Sequence, residues 1–269
     1  DKEMAAARKG TVQDSSMVDP EDPSRRYPIA SLRGDRRGPD GETIYGLRLW
    51  ENEDLVPRPD DVFQERLYCV RWVTPSGERV YKAVTDADLA REAKVLALLK
   101  ERFAEWQARG YIPSMKITPG YNTEQPIRER GWTHWHHLFN PRQLLVHGLL
   151  MEGMGELLSN DLRKHFLFSL GRLSNWNSKL IQWLSLRPGE GSSQSFSNQA
   201  LNTFYNYPIR AFISTKSIID LSIEPVYCNK NSTILPLDAR DVSYTADLWI
   251  TDPPYADAVN YHELADFFL

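Results

Sequence analysis

An apolar run, Asp247-Leu248-Trp249-Ile250-Thr251, leads into Asp252-Pro253-Pro254-Tyr255. These residue types in this order suit a reaction on an amino group attached to an aromatic base. The nitrogen lone pair of such an amine is delocalised into the ring, which makes it a poor nucleophile. A carboxylate accepting one N–H and a rigid backbone carbonyl accepting the other leave the lone pair free to attack. Asp252 supplies the carboxylate and Pro253 the carbonyl, while Pro253 and Pro254 together hold that carbonyl and remove competing N–H donors. Tyr255 supplies a ring to stack on a base turned out of its helix. A strand over 247–251 would put the four residues at a strand's carboxyl end, where open α/β sheets bind ligands. The plainer alternative is a strand stop, since Asp and Pro both end strands. The order strand, acid, double proline, aromatic and helix favours the chemical reading.

Other stretches invite weaker readings. His134, His136 and His137, with His147 further on, raise a metal hypothesis, but no alternating acid and no Cys at finger spacing accompanies them. Aromatic packing or surface contact is the expectation, and no metal. Arg128, Arg130 and Arg142 lie among Tyr121, Trp132 and Trp135, a mixture that suits phosphate contact and base stacking and equally suits a surface loop. Asn202 sits with Asn198, Gln199 and Asn206 beside Phe204 and Tyr205; such amides read adenine edges, and they also populate ordinary polar helix faces. Arg33, Arg36 and Arg37, with Asp35 and Asp40 between and beyond them, read as a solvated loop.

Those residues need a scaffold, and 269 of them suffice for one large or two smaller cores. With 41% hydrophobic and 25% charged residues the composition is that of a globular protein. A net charge of −4 argues against a uniformly basic nucleic-acid coat but leaves room for a local basic groove. Two distant cysteines, Cys69 and Cys228, form no metal or disulfide framework, so the reducing cytoplasm is the expected compartment. No apolar run approaches the roughly 18 residues of a membrane span, and no membrane partner is expected. The opening residues carry no targeting pattern and read as the interior of a longer protein.

Three regions are expected. Residues 1–62, rich in Pro, Gly, Asp and Arg, read as an extended arm with one short strand near Ile44–Trp50. Residues 63–215 read as a helical region with a β-hairpin around Pro75–Gly77. Within it Thr85 and Asp88 predict the cap of a helix ending near Gly110, with Leu89, Ala93, Val95, Leu96, Leu98, Leu99, Phe103 and Trp106 on its apolar face. Asn140-Pro141 predicts a helix to about Leu158, and Asn160 caps another running to about Ser185. A loop at 187–195 and a short helix broken near Pro208 follow. Residues 216–269 finish with strands over 224–229 and 247–251, which makes the chain α/β.

The Asp-Pro-Pro-Tyr motif resembles motif IV of amino-group DNA methyltransferases that use S-adenosylmethionine, with Asp at its first position as in the adenine-N6 enzymes. Cytosine-C5 chemistry is disfavoured, because its cysteine nucleophile needs a Pro-Cys context that neither Cys69 nor Cys228 has. Four blocks extend the likeness over nearly the whole chain: "TDPPYADAVNYHELADFF", "FSNQALNTFYNYPIR", "GWTHWHHLFNPRQLLVHGLL" and "RKGTVQDSSMVDPEDPSRRYPIASLRGDRRGPDGE". Together they are similar to the large bacterial adenine-specific DNA methylases associated with anti-phage defence, which carry a domain of unknown function at their N-terminus. The resemblance implies a mostly helical insertion followed by part of a Rossmann-like methyltransferase sheet, with DNA and other phage-defence proteins as partners. It implies S-adenosylmethionine as cofactor, with Ser232 or Thr233 near its adenine at the motif III position.

The glycine-rich cofactor loop of that family has no counterpart in this sequence. Gly148, Gly153 and Gly155 are the nearest candidates, and they read as a packed helix. The chain is therefore expected to be a fragment, inactive alone, of a DNA adenine-N6 methyltransferase in phage defence or restriction-modification. The alternatives are an RNA or protein-glutamine methyltransferase, or a non-catalytic DNA-binding or assembly module of a defence complex.

Overall fold

The computed structural model of the chain describes residues 12–19, 21–157, 159–184, 191–197, 200–210, 212–219, 233, 235, 237–252 and 260–268. The arm is more ordered than its composition predicts. Val12–Gln13, Ser16–Val18 and Arg26–Pro28 form a three-stranded antiparallel sheet, and Arg36–Arg37 pairs with Thr43–Ile44. The strand expected near Ile44–Trp50 covers only Thr43–Ile44, because the next residues serve an ion-pair network instead. The Arg48 fork reaches Asp61 at 2.8 and 2.7 Å and Asp54 at 2.6 Å, and Arg58 joins Asp54 at 2.7 Å. Hydrogen bonds from the Arg48 guanidinium hold the Asp61 carboxyl below the usual carboxylate range. The loop so closed carries Trp50 and Leu55 into the core.

Local signals set the next elements as expected. Cys69–Val73 pairs antiparallel with Arg79–Ala83. Its turn closes through Gly77 N–H to Thr74 O (2.9 Å), with Gly77 in the left-handed region at φ 83. Thr85 and Asp88 exchange side-chain and backbone hydrogen bonds and start the helix Asp86–Ala108. Val95, Leu99, Phe103 and Trp106 are its buried stripe, whereas Leu89 and Ala93 are exposed. Gly110, at φ 70, ends it. Asn140 Oδ1 accepts the Arg142 N–H at 2.9 Å while Gln143 Oε1 accepts the Asn140 N–H at 2.8 Å, which starts the helix Pro141–Leu157.

Long-range contacts override propensity further on. The following helix spans Asn160–Trp176 with Ser159, not Asn160, at its cap position. It stops well before Ser185 because Asn177 Oδ1 is captured by Gln143 Nε2 (3.1 Å) and the Arg210 N–H (3.0 Å). The chain then turns at Lys179–Leu180 and buries Lys179, Leu180 and Ile181. Trp183–Leu184 pairs with Gly191–Ser192, inside the stretch expected as a loop. Residues 200–210 are not helical; Leu201 is fully buried, and the helix comes later, at Phe212–Ile219. The strand expected over 224–229 lies outside the described residues. The described residues thus form a mixed fold of helices and small antiparallel sheets.

One apolar cluster joins the loop at Trp50 and Leu55, the long helix, Trp132, Trp135, Leu138, Leu144, Leu180 and Phe267. A charge sits inside it. Lys179, with no exposed surface, lies 2.7 Å from Glu65 and within 5.1 and 4.8 Å of the Trp50 and Trp132 ring centres. Breaking a buried pair strands its partner, whereas replacing the cation by an apolar isostere does not. Glu65→Ala is expected to cost about 3 kcal/mol and Lys179→Met much less. Urea unfolding measures both, and equal losses would refute this account of the pair.

Candidate functional site

The segment before the motif joins no sheet: Leu248, Trp249 and Ile250 are 74%, 56% and 87% exposed. This corrects the buried strand expected over 247–251. A buried strand needs partners on both edges and cover on both faces. Among the described residues every strand belongs to a small antiparallel pairing elsewhere. Asp252 ends this segment with its side chain exposed to solvent, and Thr233 is likewise exposed. Pro253, Pro254, Tyr255 and Ser232 lie outside the described residues.

Beyond the motif the chain is described again from Asn260. It returns as the helix Tyr261–Ala265 and a 3-10 turn at Asp266–Phe268. The Glu263 carboxylate accepts the backbone N–H groups of Tyr121 (2.8 Å) and Asn122 (2.7 Å). A Cβ at position 120 would collide with that carboxylate, so glycine permits the approach. Phe267 is buried against Phe139 (ring centres 5.4 Å apart, stacked), Phe196 (5.0 Å) and Trp135 (6.2 Å). Residues 263–267 are therefore pinned to the helical core. Sequence reasoning missed Glu263 and Phe267; the glycine of "PGYN" was the only local trace of the contact.

The residues read as DNA contacts already have protein partners. Arg142 binds Glu92 Oε1 through Nε at 2.9 Å and Nη2 at 2.5 Å. Arg128 lies 3.4 Å from Glu129, and Arg130 packs its guanidinium 4.1 Å from the Tyr205 ring centre and 5.3 Å from that of Phe63. Asn202 donates to the Ser197 carbonyl at 2.7 Å, closing a turn, and neighbouring Thr203 hydrogen-bonds Glu129. Arg128, Arg130 and the 202–205 stretch thus meet around Glu129 and Tyr205.

The histidines pack into the core. His137 Nδ1 accepts the N–H groups of Thr133 (3.1 Å) and His134 (3.2 Å), which leaves its proton on Nε2 to donate to Glu51 O at 3.0 Å. His136 Nε2 donates to Asn52 O at 2.9 Å. Burial pushes His136 down to about 3 and His137 to about 2, helped in each case by neighbouring histidine and Lys179 charge. These nitrogens fix the loop backbone at 51–52, as the packing reading expects. Among the described residues no group of three or more His, Cys, Asp or Glu could hold a metal.

S-adenosylmethionine needs backbone that comes close to it at a glycine loop. Gly148 instead lies within a helix, where a Cβ would collide with the Trp106 indole, and Gly155 faces Tyr111. Gly148 and Gly155 therefore serve helix packing, and neither offers the cofactor a glycine loop. Comparison with family models, with curated proteins and with solved structures yields no match.

Proposed function

We propose that residues 252–255 are the amine-binding clamp of a DNA adenine-N6 methyltransferase that uses S-adenosylmethionine, working in phage defence or restriction-modification. The sequence Asp252-Pro253-Pro254-Tyr255 carries the reading. Asp252 and the Pro253 carbonyl accept the two N–H groups of an extruded adenine, and Tyr255 stacks on its ring. Two structural features support it: the Asp252 side chain is exposed, and the segment beyond the motif is locked at Glu263 and Phe267. No contact to the methyl donor is assigned to the described residues.

The test is transfer of tritiated methyl by the enzyme containing this chain, offered duplex DNA, RNA and protein in parallel. Label is expected in N6-methyladenine of the duplex. Label in RNA or in glutamine would replace the substrate class. The exposed, unpaired run Leu248–Ile250 favours a second reading, a non-catalytic DNA-binding or assembly module. Transfer to none of the three would select it.

A further inference from the structure

We infer that the cavity between the end of the helix Asn160–Trp176 and the strand pair Trp183–Leu184/Gly191–Ser192 binds the phosphate group of a small ligand. The Ser192 and Ser193 hydroxyls and the Gln194 amide donate to it, in front of the Arg210 guanidinium. The cavity measures about 260 Å³, and the described residues lining it are Trp176, Ser192, Ser193, Gln194 and Ser197. That volume lies just under the span of roughly 300–1,000 Å³ typical of small-molecule sites. It suits a phosphate carrying a small group, which the Trp176 ring can cover.

The charge comes from behind the wall. Arg210 donates from Nε to the Trp176 carbonyl (2.9 Å) and from Nη2 to Ser192 Oγ (2.6 Å), both neutral acceptors. Arg48, Arg58 and Arg142 meet carboxylates instead. Burial and the nearby Arg71 charge hold the Arg210 guanidinium below its ordinary value. Arg71 itself stacks on Trp183, with its guanidinium 4.5 Å from the ring centre, and Trp183 stands opposite Ser192 on the same face of the ladder. A half-buried cation held by neutral oxygens is costly, and an anion in the cavity supplies the counter-charge.

The hydroxyls are set to donate. Each has one proton and two lone pairs. Ser192 Oγ accepts from Arg210, and Ser193 Oγ accepts the Gln182 N–H at 2.8 Å. Among the described residues neither passes its own proton to another group, whereas Ser197 gives its proton to the Gln194 carbonyl. Gln194 adds an exposed amide at the mouth. No carboxylate stands among these lining residues. Several converging donors with a cation behind them match a dianion with three terminal oxygens better than a carboxylate with two.

The experiment titrates the 269-residue chain with inorganic phosphate, phenyl phosphate and acetate, followed by calorimetry and by the NMR shifts of backbone amides. Phosphate is expected to shift the amides of Ser192, Ser193 and Gln194 and to leave those of the helix Asp86–Ala108 in place. Ser192→Ala removes one hydrogen bond to a charged group and is expected to weaken phosphate about tenfold. Gln194→Ala is expected to weaken it about threefold. Because Ser192→Ala also strands Arg210 Nη2, the exposed Gln194→Ala and the titration of the unmutated chain keep the test independent of folding. Tighter binding of phenyl phosphate assigns the site to a phosphate ester and equal binding to the free anion; either supports the inference. Acetate bound as tightly as phosphate, amide shifts confined to other residues, or undiminished binding in folded variants would each overturn it.

Discussion

Alanine at position 252 is expected to lower kcat for adenine methylation by about 10²–10³-fold, with little change in DNA affinity. The effect follows from when the carboxylate acts. A planar amine in the ground state asks little of its acceptors; the nitrogen becomes tetrahedral and gains positive charge as it attacks. A charged acceptor then contributes roughly twice what a neutral one does, and this difference is realised only in the transition state. Asp252→Asn keeps an acceptor oxygen without the charge and should fall between the two. Because the side chain is exposed, neither substitution should move the unfolding midpoint. Single-turnover methylation of duplex DNA separates chemistry from binding, and full activity in the alanine variant would falsify the clamp.

The elements legible in the sequence are those that close on themselves. The Thr85–Asp88 box, the Asn140–Gln143 exchange and the Gly77 turn each bring partners within four residues, so residue types at fixed spacing announce them. What the sequence did not show depends on partners far along the chain. Asn177 ends a helix because Gln143 and Arg210 meet its side chain. The 48–61 loop folds because Arg48 finds Asp54 and Asp61 together. The same division runs through the candidate site. The residue types at 252–255 state a chemistry, but the anchor of the segment beyond them, Glu263 on the 121–122 backbone, has no sequence signature. An arginine looks the same in sequence whether it meets phosphate or, as Arg142 does, a glutamate.

The buried histidines make the fold lose stability with falling pH from about 6.5, above the usual carboxylate range. His136, His137 and His147 have folded pKa values of about 3, 2 and 4, all lowered first by burial, against about 6.5 in an unfolded chain. The unfolded state therefore takes up protons first. The stability these groups contribute is complete above about pH 6.5 and is lost as the pH falls towards their folded values. Each titrating imidazole costs about 1.4 kcal/mol per pH unit, so three together cost about 4 kcal/mol per unit. Against a domain stability of about 5–15 kcal/mol, unfolding is expected at about pH 4–5. Asp61, held low by Arg48, adds its loss only below its ordinary range near 3.8. Urea titrations at pH 7, 6 and 5 should show a steep fall, and His147→Leu should reduce the slope by about a third. Unchanged midpoints across that range would remove the histidines from the account. The added proton goes to His137 Nδ1, where it displaces the Thr133 and His134 N–H groups, so acid opens first the 133–134 stretch that Thr133 joins to Trp50 O. Hydrogen exchange at Trp50, whose N–H is bonded to Gly131 O, should then rise at a higher pH than exchange within the helix Asp86–Ala108.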